Sequence, residues 1–269
     1  MAPPATHNAL TPFENRIEEL GPISDRARAN LARALALIDP TERDAFIHRH
    51  RDALEDVNTM AKAKYADFPY WAYLSVLTAQ WLGLDRSEPL DILDIGMGPG
   101  SFVMVARSMG HRAVGTDVSD PWYEELCTLA GSERVIAPVE RGKPYTPLDR
   151  RFDLITIMLP AFHRRRVNRK REYWSVEDWR VFLSGLTRDV LMPEGAIFIM
   201  MPLDKDDEGN LSYSPLVEWA RERGAILDKT FSDGAVRHIL FDPATAATFA
   251  EAPPRDAVKS DITLELPAK

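Results

Sequence analysis

The stretch Leu90-Asp91-Ile92-Leu93-Asp94-Ile95-Gly96-Met97-Gly98-Pro99-Gly100 decides the fold. Leu90 to Ile95 is a short apolar run that stops in glycines, the pattern of a strand buried on both faces. A helix is expected from about Ser101 to Met109, so the glycines fall in a strand-to-helix turn. Glycine there permits positive φ and lets a ligand lie close to the backbone. The helix N-terminus that follows offers amides without helical partners, which suit a carboxylate or a phosphate. Arg112 to Thr116 reads as the next strand, and Asp117 stands at its end, 21 residues beyond Gly96. A carboxylate in that position can accept hydrogen bonds from both hydroxyls of a ribose.

Working outward, the same rhythm continues. Asp120-Pro121 opens a helix, Arg134 to Val139 is a third strand, and Phe152 to Leu159 (FDLITIML) is a fourth. Ser175-Val176-Glu177-Asp178 is a capped helix start with Trp179, Phe182, Leu183 and Leu186 on its buried stripe. Pro193-Glu194-Gly195 is a turn before the strand at 196–201, and Leu216 to Arg223 is a helix. Ala225 to Phe231 and Val236 to Phe241 flank Ser232-Asp233-Gly234, which reads as a hairpin turn. The expected fold is therefore α/β: a doubly wound, mostly parallel sheet closed by an antiparallel C-terminal hairpin.

Before residue 85 the period is helical. Ser24 caps a helix carrying Leu31, Leu35 and Ile38. Asp39-Pro40-Thr41-Glu42 starts a second helix expected to run through Phe46 and Leu54 towards Met60. A third begins near Asp67 and carries Trp71, Leu74, Leu77 and Trp81. The expected division is a helical cap over 1–85, the ligand-binding domain over 86–251, and a polar, Pro-rich tail over 252–269 with a short strand at Ile262 to Leu266.

The bulk numbers bound the function. The 269 residues are 45% hydrophobic and 28% charged, ordinary values for a globular chain. A net charge of −8 argues against wholesale binding to nucleic acid or an anionic membrane. One cysteine, Cys127, excludes an internal disulfide and a cysteine zinc site. The N-terminal MAPPATHNAL has no basic segment followed by an apolar core, and no apolar run approaches the roughly 20 residues of a bilayer span. A cytoplasmic location without membrane partners is the expectation.

DIGMGPG (residues 94–100) resembles motif I of the class I, Rossmann-like S-adenosylmethionine-dependent methyltransferases, and Gly115-Thr116-Asp117 resembles their motif II. FDLITIML is similar to their fourth-strand motif. LMPEGAIFIMM (191–201) is similar to their fifth-strand turn, with Glu194 in place of the usual first glycine. The closing hairpin is similar to their last two strands, for seven in all. The resemblance covers residues 90–242 and leaves out the cap. It implies S-adenosylmethionine as cofactor, with Asp94 near the methionine amino group and Gly96, Met97, Gly98 and Gly100 beneath the methionine and ribose. Asp117 would hold the ribose hydroxyls and Val118 would line the adenine pocket. Glu140 falls where this family often contacts the adenine amino group, or alternatively is a solvated structural acid.

The acceptor side is sought after the fourth strand, at Pro160-Ala161-Phe162-His163. His163 has the chemistry of a general base, or alternatively orders the loop. Residues 164–171, Arg-Arg-Arg-Val-Asn-Arg-Lys-Arg, hold six cations; Arg164 and Arg165 are candidates to recognise an anionic acceptor, or the stretch is a solvated loop. Tyr70 and Trp71 are candidates to close over the ligands, or they pack the cap. Leu159-Pro160-Ala161-Phe162 is unlike the N/D-P-P-Y/F motif of amino-methylating DNA enzymes. Cys127, in an expected helix away from the catalytic edge, is no cytosine-type nucleophile. The leading expectation is O- or N-methylation of a small molecule. RNA methylation, a non-catalytic cofactor-binding module and a nicotinamide-dependent oxidoreductase are the alternatives.

Overall fold

The apolar run after residue 90 forms β1 (Asp91–Ile95), which pairs in parallel with β2 (Arg112–Asp117) on one side and β4 (Phe152–Met158) on the other. In the computed structural model the described residues are Asn15 and 24–55, 60–167, 170–206, 209–228 and 236–250. Among them the main sheet runs β3-β2-β1-β4-β7-β9-β8. β3 (Arg134–Ile136) and β7 (Leu191–Met200) extend the parallel part. β9 (His238–Phe241) is antiparallel to β7, and β8 (Ile226–Asp228) is antiparallel to β9. The chain winds outward in one direction from β1 to β3, then crosses to β4 and winds the other way. The crevice at the carboxyl ends of β1 and β4 is the switch point where such sheets take ligands.

The sheet is buried on both faces by strand alternation. Ile92, Leu154, Ala196, Phe198 and Leu240 point into one core, and Leu93, Ile155, Ile197 and Ile239 into the other. The first core is completed by α6 (Ser101–Ser108), α7 (Pro121–Leu129) and the N-terminal helices. Those helices are α1 (Asp25–Leu35), α2 (Pro40–Arg49), α3 (Arg51–Glu55), α4 (Met60–Ala63) and α5 (Phe68–Trp81). Leu31, Phe46 and Val76 are fully buried in the same cluster as Val103 and Leu126. Each such side chain contributes about 1.5–3 kcal/mol on leaving water, which fastens the cap directly to the sheet domain. The second core is covered by α8 (Val176–Gly185), α9 (Ser214–Glu222) and α10 (Pro243–Ala246).

Helix starts follow local chemistry. Ser24 Oγ accepts from Ala27 N, Asp39 Oδ1 from Thr41 N, Asp67 Oδ1 from Tyr70 N and Asp120 Oδ1 from Trp122 N. Ser175 and Asp178 form a reciprocal capping box.

Several boundaries differ from the expectation. The helix begun at Asp39 ends at Arg49, and a new one starts at Arg51. β3 stops at Ile136 rather than Val139: Ala137 N still donates to Asp117 O, but Pro138 has no N–H to continue the ladder. Pro193-Glu194-Gly195 lies inside β7 as a bulge, because Leu191 pairs with Phe152 while Ala196 already pairs with Leu154. The cationic stretch is not a loop: β5 (Arg164–Val167) and β6 (Lys170–Tyr173) pair antiparallel as a separate ribbon. β8 and β9 pair as expected, while their turn at 232–234 and the strand expected at 262–266 lie outside the described residues. No described helix is long and apolar enough to cross a membrane.

Candidate functional site

The glycine turn bends the chain sharply out of β1. Gly96 N and Met97 N both donate to Thr116 O, at 2.8 and 3.1 Å, which locks the turn to the end of β2. Gly98 adopts φ +53° and sends its N–H to Asp117 Oδ2 at 2.7 Å. Gly100 adopts φ +78° and caps α6 without a side-chain hydrogen bond, leaving the first amides of that helix open to a ligand. A Cβ on Gly100 would meet Ser132 Cβ at 2.7 Å and Met97 Cε at 2.9 Å, so both conformation and space demand glycine there.

Around this turn lies a cavity of about 440 Å³. Its floor is Asp94, 2% exposed and aligned with Thr156 on β4, whose hydroxyl donates to Asp94 Oδ1 at 2.8 Å. Burial pushes the Asp94 carboxyl up to about 7; the Thr156 hydrogen bond opposes this and the Asp117 charge adds to it. Among the described residues no ion pair reaches Asp94. Asp117 turns its carboxylate to the cavity, held by Gly98 N and by Val118 N at 2.7 Å. Val118, Ala137 and Val139 make an apolar wall beside it.

The cap closes the opposite wall. Tyr65 and Trp71 face the cavity with ring centroids 4.7 Å apart, and Tyr123 of α7 meets Tyr65 edge-on at 5.6 Å. Lys64 Nζ lies 5.0 Å over Tyr65 and 5.7 Å over Trp71, where burial lowers its pKa. Burial raises the Tyr65 and Tyr123 phenols, so both stay protonated at neutral pH. Leu74, Ser75 and Thr78 of α5 continue this wall, facing Met158, Leu159, Ala161, Phe162 and Met200 from the ends of β4 and β7. Leu159 has φ +50°, the single positive value at a non-glycine among the described residues. The strained turn, tied by Leu159 N to Met200 O at 2.7 Å, directs the chain after β4 past the cavity mouth.

The structure thus brings Asp94, Gly96, Met97, Gly98, Asp117, Val118 and Trp71 to one cavity. Gly100 supports it from below. The other candidates stand elsewhere. Glu140 is exposed and pairs with Lys143 at 2.5 Å, because the chain has left the sheet edge at Pro138. Tyr70 is buried behind Trp71, edge-on at 5.3 Å. His163 is 1% exposed, lies between Tyr173 and Trp179, and does not line the cavity. Burial lowers its pKa to about 4, with the nearby Asp204 carboxylate opposing the shift. Arg164 pairs with Asp204 and Arg165 with Glu172 at 2.6 Å, so neither presents an unengaged charge to the cavity. Cys127 is in a helix as expected but not remote: its thiol donates to Gly98 O at 3.3 Å beneath the turn. Burial raises that thiol to about 11, which makes it a packing group and not a nucleophile.

Three contributors belong to no motif. Tyr65 and Tyr123 are aromatics in separate helical segments, and only the docking of α7 beside the cap joins them. Arg134, at the start of the shortest parallel strand, tucks under the turn and donates from Nη1 to Gly98 O at 2.9 Å and from Nη2 to Val118 O.

No family model matches the chain, and no curated protein matches it. Solved structures similar to it include the S-adenosylmethionine-bound amino pentose methyltransferase CalS10 from Micromonospora echinaspora. That match has 15% identity and a TM-score of 0.36, over 49% of this chain and 51% of that one. A TehB-like S-adenosylmethionine-dependent methyltransferase from Corynebacterium glutamicum aligns at 14% identity and a TM-score of 0.40, over 76% of this chain and 99% of that one. The ribosomal protein L11 methylase from Lactobacillus delbrueckii aligns at 20% identity and a TM-score of 0.35, over 65% and 77%. The chain spans about half the length of the first of these. Its sheet order, its glycine turn and its antiparallel closing strands make a doubly wound, Rossmann-like α/β fold.

Proposed function

We propose that this protein is an S-adenosylmethionine-dependent methyltransferase acting on a small molecule. The carrying observation is the pairing of Asp117 with the glycine turn at a cavity floored by Asp94. The residues present fit the cofactor by their chemistry. Asp94 is a buried acid with no cationic partner among the described residues, suited to an ammonium group. The open amides of α6 suit a carboxylate. Asp117 keeps lone pairs for a ribose diol after accepting from Gly98 and Val118, and the Val118–Ala137–Val139 wall suits a purine.

When bound, the cofactor supplies an electrophilic methyl group on a positively charged sulfur. The chain's own part is to align and to exclude water. Tyr65, Trp71 and Phe162 surround the cavity with aromatic surface and dry it, which favours a direct displacement between aligned atoms. Among the described residues the lining holds no lysine, arginine or histidine. That supports an acceptor without negative charge, and a nucleophile that needs no protein base, such as a neutral nitrogen.

The test is calorimetric titration with adenosylhomocysteine and, separately, with NAD. Micromolar binding of the first and none of the second is expected. Binding of NAD alone, or of neither, would overturn the reading.

A further inference from the structure

The Asp117 corner is held from behind by one side chain that belongs to no motif. Gly98 and Val118 are each gripped at both backbone ends. Their N–H groups donate to the two oxygens of Asp117, both at 2.7 Å. Their carbonyls accept from the two arms of the Arg134 guanidinium. The result is a closed ring: carboxylate, Gly98, guanidinium, Val118, carboxylate. Arg134 Nη1 also lies 3.9 Å from Asp117 Oδ2, close enough for attraction without a hydrogen bond, and the Arg134 side chain is 6% exposed. Cys127 Sγ shares the Gly98 carbonyl.

This geometry requires a planar fork. A guanidinium reaches two carbonyls on different segments with fixed directions, whereas an ammonium is a point charge that serves one of them well. The two segments joined are the glycine turn and the end of β2, the parts whose separation sets where the Asp117 oxygens point. Nothing else described ties Gly98 O to Val118 O.

We propose that Arg134 is a positioning residue that sets the ribose selectivity of the site: by clamping Gly98 and Val118 it aims the Asp117 carboxylate at the ribose diol. The proposal rests on the adenosyl-site reading above and goes beyond it. Arg134 does not line the cavity; it acts through Asp117. Its loss should therefore weaken ligands that carry the 2′-hydroxyl more than ligands that lack it.

The experiment measures dissociation constants of adenosylhomocysteine and of 2′-deoxyadenosylhomocysteine for the full chain and for Arg134→Gln and Arg134→Lys, with Tm recorded for each. In the unaltered protein the hydroxyl should favour the ribose ligand about tenfold, the value of one charge-assisted hydrogen bond. In Arg134→Gln the preference should collapse to about twofold or less, because the deoxy ligand, which keeps one hydroxyl for Asp117, is weakened less than the ribose ligand. Arg134→Lys keeps the charge and should recover only part of the preference; it also serves if the glutamine variant does not fold. Equal weakening of both ligands, with the preference intact, would show Arg134 to be structural only and overturn the proposal. Failure of the unaltered protein to bind either ligand would instead remove the adenosyl-site reading on which it stands.

Discussion

The glycine-turn corner and the segment after β4 were both expected to carry function, and they came out differently. At the corner, the residues that the motif singles out converge on one cavity. After β4, the residues with the most suggestive chemistry turn away: His163 is enclosed, and Arg164 and Arg165 are paired with acids. The first site is built from backbone and from acids fixed at strand ends, and the second would have to be built from side chains placed by their partners. Backbone placement follows from strand ends and positive-φ glycines, which are local properties. Side-chain placement depends on partners from other elements, here Asp204, Glu172, Tyr173 and Trp179.

The sharpest way to break this contrast is Gly100→Val. It forces a β-branched residue into a left-handed conformation and into Ser132 and Met97. A loss of about 2–5 kcal/mol is expected in urea unfolding. An unchanged midpoint would mean that the turn is not locked as described. Asp117→Ala acts at the same corner but removes ligand contacts instead of packing. Adenosylhomocysteine affinity should fall about ten- to a hundredfold, from lost hydrogen bonds of about 1.5–3 kcal/mol, and calorimetry reads it directly.

His163→Phe examines the other region. A histidine whose folded pKa is about 4, below the unfolded value, gives stability that is present near neutrality and lost as pH falls from about 6.5 towards 4. The phenylalanine variant lacks that loss. Relative to the unaltered protein it should gain about 1–3 kcal/mol between pH 7 and pH 4, seen in unfolding curves at each pH. Its methyl-transfer pH profile should match that of the unaltered protein; loss of the fall in rate on the acid side would restore His163 as a base. The smallest effect belongs to Glu140→Ala. An exposed acid paired with Lys143 should change adenosylhomocysteine affinity by less than about twofold. A larger change would bring the loop after β3 back to the adenine side.

The outcome also separates kinds of sequence signal. The apolar runs of β1, β4 and β7 were readable because both faces of each strand are buried. The caps at Ser24, Asp39, Asp67, Asp120 and Ser175 were readable because they satisfy their own helix within three residues. The pairing of β5 with β6 was not. Its cations suggested a solvated loop, but cross-strand pairs such as Arg165 with Glu172 neutralise charge on an extended ribbon. The aromatic wall was half readable: Trp71 reaches the cavity, Tyr70 beside it does not, and Tyr65 and Tyr123 meet only after the cap has docked.

By itself the sequence determined the doubly wound sheet, the glycine turn and the acid at the end of β2, because strand period, glycine φ and helix caps act over a few residues. Only the tertiary structure decided what covers that turn and what stands behind it. Tyr65 and Tyr123 in front and Arg134 beneath come from segments distant in the chain, and their meeting is an outcome of packing that no local pattern encodes.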